Sequence, residues 1–148
     1  MNKLNKKILW VEDESYTIQG LFKPLIAMGI EVVEAKCAIE AFNMAQNWQS
    51  YDMIAIDLII PLMNDDEDLP DVVAGWDEEP YVGIGLAKWL VTDLKVECPI
   101  LLLSVIDNPI KVYNLSEYGL THYLSKSGLL PSVVKKDVLS ILGVGDEQ

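Results

Sequence analysis

The stretch YDMIAIDLIIP, residues 51–61, decides how this chain is read. From Met53 to Ile60 it is apolar except for one carboxylate, Asp57, and Pro61 closes it. A strand with no polar alternation is one covered on both faces, as in a parallel sheet. A carboxylate at the end of such a strand is costly unless it is paired, hydrogen-bonded or set on a metal. Asp57 is therefore either a solvated strand tip or part of a site.

The flanking sequence repeats one unit. KKILWV (6–11) is an apolar run followed by the acids of EDES. Over 16–28, Ile18, Leu21, Phe22, Leu25 and Ile26 recur at helical spacing, and Gly29 is a C-terminal stop. EVVEA (31–35) predicts a strand. Residues 37–48 predict a helix with Ile39, Phe42 and Met44 or Ala45 inward. After the strand 53–57, residues 62–80 have no clear period. Helix spacing returns over 82–95, with Leu86, Trp89, Leu90 and Leu94 on one side. PILLLSV (99–105) predicts a buried strand. NPIKVYNLSEYG (108–119) predicts a helix with an Asn cap and Pro at its first position, ended by Gly119. HYLSK (122–126) predicts a fifth strand, and 131–143 a last amphipathic helix.

Strand followed by helix, five times, predicts an α/β fold: a doubly wound five-stranded parallel sheet with helices on both faces. In such sheets the working site lies outside the carboxyl ends of the strands, where strand order reverses. Those ends carry Glu12, Asp13 and Glu14 after the first strand, Asp57 on the third, Ser104 on the fourth and Lys126 on the fifth. Converging carboxylates call for a cation, and hard oxygen ligands favour Mg²⁺. With Lys126 and the Ser104 hydroxyl, the set suits phosphoryl transfer to an aspartate.

Composition narrows the choices. The 148 residues suit one domain, read here as a single unit over 1–148. The apolar run after MNKLNKK is too short for a signal peptide, and no run reaches the about 18 residues of a membrane span. A cytoplasmic protein is expected, with Cys37 and Cys98 as free thiols. A net charge of −12 argues against nucleic-acid or anionic-membrane binding by this chain alone. Eight acids and no Lys or Arg lie between Met63 and Pro80, and the rest of the chain carries about −4.

Taken together, ILWVEDE, YDMIAIDLIIP, PILLLS and HYLSK resemble the response-regulator receiver domains of two-component signalling, with their flavodoxin-like fold. The resemblance implies that Asp57 is the phosphoacceptor, that Glu12, Asp13, Asp57 and the Ile59 backbone carbonyl hold Mg²⁺, and that Lys126 faces the acceptor. It implies that Ser104 is the switch hydroxyl and Tyr123 the switch aromatic. A histidine kinase or phosphotransfer protein would supply the phosphoryl group. An unknown downstream protein, or a homodimer through the helix 108–119, the strand 122–126 and the last helix, would take the output. The chain closes soon after that helix, so no output domain is expected, and no enzymatic activity beyond the receiver's own phosphorylation and dephosphorylation.

Departures from the family pattern matter. Ser127 stands where the family has a cis proline, and a trans bond or a shifted loop is expected there. Val105 stands where a small residue is usual. Ile59 and Ile106 would hinder an attacking water and slow autodephosphorylation. An acidic insertion at about 62–81 is read either as a solvated flap or as a docking element or lid, with Leu69, Val72, Val73, Trp76 and Tyr81 packing down. Two rival readings are a pseudo-receiver that is never phosphorylated and an aspartate-nucleophile phosphatase. The second lacks the aspartate it needs two residues after the nucleophile, where Ile59 stands.

Overall fold

The computed structural model describes residues 4–144, with the side chains of 15–19 not included. The expected calls on the amino terminus and on the Ile18 side chain therefore lie outside the described residues. Strands β1 (Lys7–Val11), β2 (Glu31–Ala35), β3 (Met53–Asp57), β4 (Ile100–Ser104) and β5 (His122–Ser125) form one parallel sheet in the order β2-β1-β3-β4-β5. Chain order reverses between β1 and β3, which places the crevice of a doubly wound sheet above those two strands.

Alternation along the strands builds two cores. Ile8, Trp10, Met53, Ala55, Leu101, Leu103 and Leu124 face helices α1 (Ser15–Ala27) and α6 (Pro131–Leu142), meeting Phe22, Leu25, Val134 and Val138. Leu9, Val11, Ile54, Ile56, Ile100 and Leu102 face the other way. They are covered by α2 (Ala38–Ala45), α3 (Asp71–Gly75), α4 (Val82–Thr92) and the segment 109–120 that contains α5 (Pro109–Val112). The central strands β3 and β4 are buried on both sides, which is why 53–56 and 100–103 read as unbroken apolar runs.

Several boundaries differ from expectation. Ile26 is 57 % exposed rather than inward, because it lies about 100° round the helix from the fully buried Leu25. The second helix stops at Ala45, and a separate 3-10 turn spans Trp48–Ser50. The helix at 82 ends at Thr92, so Leu94 lies beyond it. The predicted helix 108–119 is two pieces. Asn108 does cap α5, its Oδ1 accepting the Lys111 N–H at 3.2 Å. Asn114 then takes a left-handed φ of 55° and breaks the ladder before the 3-10 turn Leu115–Tyr118. Asn tolerates that conformation better than most residues, so helical spacing alone did not reveal the break.

The acidic segment is no solvated flap. Its start caps α2: Ala38 and Ile39 donate their N–H groups to the carbonyls of Pro61 and Leu62. Its middle forms α3 and the 3-10 turn Trp76–Glu78. Val73 and Trp76 are buried, Leu69 and Tyr81 half-buried, while Val72 points to solvent. The Trp76 ring lies 6.3 Å from Phe42 and 5.8 Å from Trp89, and it fills the space over Gly85, where a Cβ would meet its Cγ at 2.6 Å. Asp65, Asp66, Glu67, Asp68, Asp71, Asp77 and Glu78 remain exposed, and Glu79 is half-buried. Among the described residues no helix is long and apolar enough to cross a membrane.

Candidate functional site

The register explains which side chains meet. Trp10 pairs with Ala55 and Val11 with Ile56, so Glu12 lies opposite Asp57, one step past the last pair. Asp57 itself pairs with Leu103, and Leu103 with Leu124. Lys126 is two residues past Leu124. Residues two apart on a strand share a face, so Glu12, Asp57 and Lys126 all project to the α1/α6 side at the carboxyl edge of the sheet. Lys126 Nζ reaches Asp57 Oδ2 at 2.7 Å and Glu12 Oε2 at 3.0 Å. Asp57 and Glu12 are almost fully buried, and the lysine side chain is 22 % exposed.

The Asp57 carboxylate is held at both ends. Its other oxygen, Oδ1, accepts the Ile59 N–H at 3.0 Å, so the turn after the strand sets the plane of the acid. Burial, together with the hydrogen bond and charge of Asp57, pushes the Glu12 carboxyl up to about 8 against the pull of Lys126. Burial works against the Lys126 ammonium, but Asp57 and Glu12 outweigh it and hold the lysine above its ordinary range. Without a cation, Glu12 therefore holds its proton well above the usual carboxylate range.

Asp13 is exposed at the mouth of the site, and single oxygens of Glu12, Asp13 and Asp57 lie within 4.8 Å of one another. These donors fit a small divalent cation. They are hard oxygens from two buried carboxylates and one exposed one, and Lys126 compensates only part of their charge. Glu12, Asp13 and Asp57 are the side chains that could hold such an ion.

Ser104 and Tyr123 occupy the other face. Ser104 pairs with Ser125 and Tyr123 with Leu102, on the side covered by 109–120. The buried Ser104 Oγ accepts the Ile106 N–H at 2.8 Å, which leaves its hydrogen free to donate elsewhere. Among the described residues no hydrogen bond joins it to Asp57. Tyr123 is half-buried against the core. The peptide before Ser127 is trans, as expected, and Lys126 still reaches the acid. The Lys126 N–H bonds to the Ser104 carbonyl at 2.9 Å, which anchors the lysine without a proline. Val105 and Ile59 are 62 % and 50 % exposed, so neither side chain is packed into the site.

One supporting residue was missed. Gly83 donates its N–H to the Leu58 carbonyl at 2.9 Å, and a Cβ there would stand 2.5 Å from the Asp57 carbonyl oxygen. The start of α4 thus presses on the backbone at the end of β3. VGIGLAKW carries the signal, since Gly83 and Gly85 are costly in a helix without a packing reason.

No protein-family model matches the sequence, and a comparison with curated proteins finds no match either. Solved structures do resemble this one. The non-phosphorylated HemR receiver domain of Leptospira biflexa superposes at a TM-score of 0.69 with 20% identity, over 97% of this chain and 98% of that one. A chemotaxis response regulator of Vibrio cholerae gives 0.67 with 24% identity, over 92% and 98%. The BeF3-activated N-terminal receiver domain of Klebsiella pneumoniae RstA gives 0.66 with 20% identity, over 93% and 98%. The likeness spans nearly the whole chain and establishes the fold as that of response-regulator receiver domains.

Proposed function

We propose that this chain is a receiver that takes a phosphoryl group on Asp57 from a histidine kinase or phosphotransfer protein. The observation that carries the reading is the Lys126 ammonium set between Asp57 and Glu12 at the reversal point of a sheet with the receiver fold. A carboxylate oxygen of Asp57 attacks phosphorus, the bond from phosphorus to the donor breaks, and the leaving group departs with the electron pair. The product is an acyl phosphate. Lys126 is placed to exchange its bond with the carboxylate for one with a phosphoryl oxygen, and Ser104 has a free hydrogen to donate to another. Glu12, Asp13 and Asp57, with the Ile59 carbonyl, would hold Mg²⁺, which when bound neutralises charge on the transferring group. Partner binding would then change through Ser104, Tyr123 and the segment 108–119 between them. Ile59 and Ile106 follow the acceptor and the hydroxyl, and slow dephosphorylation is proposed from them.

The test is intact mass after incubation with a small-molecule phosphodonor, with and without Mg²⁺. A single phosphate-sized gain that requires Mg²⁺ is expected. No gain, together with no uptake of beryllofluoride, would leave an interaction module that is not phosphorylated.

A pH dependence follows from Glu12. Its carboxyl lies well above its ordinary value in the metal-free fold, so the fold binds more protons than the unfolded chain between about 4.5 and about 8. In a chelator, this group's contribution to stability is full below that window and lost as pH rises through it. Mg²⁺ must displace the Glu12 proton, so its apparent affinity should climb by up to about tenfold per pH unit below pH 8 and level off above. Mg²⁺ titrations followed by tryptophan fluorescence at pH 6, 7, 8 and 9 check this. A flat affinity across the series would remove Glu12 from the ligand set.

A further inference from the structure

We propose that residues 62–81 form an arm whose carboxyl end, Asp77–Tyr81, is re-presented to solvent when the segment 108–119 changes state. This rests on the phosphoacceptor reading of Asp57, which supplies the change of state. Three observations combine. The first is a fixed point: Trp76 is buried against Gly85, Phe42 and Trp89, so the arm cannot move as a whole.

The second is the pair of contacts beyond that point. Tyr81 meets the Tyr113 ring edge-on, with centroids 6.1 Å apart and planes at 87°. Glu79 Oε1 pairs with Lys88 Nζ at 3.2 Å, and the same ammonium lies 5.3 Å from the centre of the Tyr118 ring. Lys88 is thus shared between the arm and the segment. A displacement of Tyr118 changes the position in which Lys88 is best held, and with it the hold on Glu79.

The third is the segment itself. Left-handed Asn108, Asn114 and Gly119 divide it into a four-residue helix and a 3-10 turn. Such short pieces have few internal hydrogen bonds and rearrange at low cost. The segment begins four residues after Ser104 and covers the face that carries Tyr123. A change at Ser104 therefore reaches Tyr113 and Tyr118, and through them Tyr81, Lys88 and Glu79. The acids Asp77 and Glu78, already exposed, lie between the fixed Trp76 and the released Glu79.

The experiment is amide hydrogen exchange by mass spectrometry on the full chain, with and without Mg²⁺ and beryllofluoride, a mimic of a phosphoryl group on a carboxylate. Fluorine NMR of the bound ion is read in parallel. In the wild type, exchange over 77–81 should rise several-fold on beryllofluoride binding, while 71–75 stays unchanged. Lys88→Met keeps the apolar stem and removes the charge, and Tyr113→Leu removes the ring contact. Each should shrink the response, and the double variant should lose it while still binding the ion. Bound beryllofluoride with unchanged exchange over 77–81, or a full response in the double variant, would overturn the arm and leave the acceptor reading standing. Absence of bound ion in the wild type would overturn both.

Discussion

Asp57→Asn should abolish the Mg²⁺-dependent phosphate gain, by at least about a thousandfold in initial rate. The substitution is nearly isosteric. The side-chain oxygen that accepts the Ile59 N–H is retained, so the turn at the strand end should hold. The nucleophile is gone, because an amide does not form the acyl phosphate, and the carboxylate partner of Lys126 goes with it. The fold should survive. Removing one of two buried acids also relieves the charge and hydrogen bond that help push Glu12 up to about 8. Lys126→Met is the graded companion: the nucleophile stays and the stabilising cation goes, for a loss of roughly 10²–10³ in rate. Intact mass over a time course separates the three proteins. A Mg²⁺-dependent gain that persists in Asp57→Asn would place the acceptor elsewhere and sink the proposal.

Gly83→Ala should destabilise the fold by about 2–3 kcal/mol, the upper part of the about 1–3 kcal/mol that overpacking costs. The new methyl would stand 2.5 Å from the Asp57 carbonyl oxygen, 2.6 Å from Leu58 Cα and 2.9 Å from the Leu58 carbonyl oxygen. All three are backbone atoms at the end of β3, so no side chain can swing aside. The ordinary helix gain of alanine over glycine, about 1 kcal/mol, acts in the opposite direction and is too small to compensate. Either α4 retreats or Asp57 moves, and phosphorylation should slow in the folded fraction. Gly20→Ala is the control, since Gly20 lies in α1 with nothing near its missing Cβ among the described residues. That variant should be neutral or up to about 1 kcal/mol more stable. Urea unfolding of both would decide, and a Gly83→Ala protein as stable as the wild type would show that α4 does not press on the strand.

How far the sequence could be read depended on whether a signal was local. The apolar runs at 53–56 and 100–103 could be read directly, because a strand buried on both faces has no polar residue to interrupt it. Glu12, Asp13, Asp57, Ser104 and Lys126 could be named because each ends or follows such a run. The helix at 108–119 was misread because its break is a single left-handed Asn114, which leaves the apolar spacing intact. Leu94 packs on the expected core from beyond the helix end, and Ile26 was misassigned because periodicity marks a stripe without saying where the packed surface stops. In the acidic segment, both a solvated flap and a packed element fitted the sequence, because the partners of Trp76, namely Phe42, Gly85 and Trp89, are distant or unremarkable in sequence.

By itself, then, the sequence determined the alternation of strand and helix and the chemistry at each strand end, since both are written in neighbouring residues. Tertiary structure alone decided what those ends do together. The order β2-β1-β3-β4-β5 and its register put Glu12, Asp57 and Lys126 on one face and Ser104 and Tyr123 on the other. The same packing seats Trp76 in the core and Gly83 against the end of β3. Pairing between strands and contact between helices are long-range choices, made by the burial of whole faces, and no short stretch of chain encodes them.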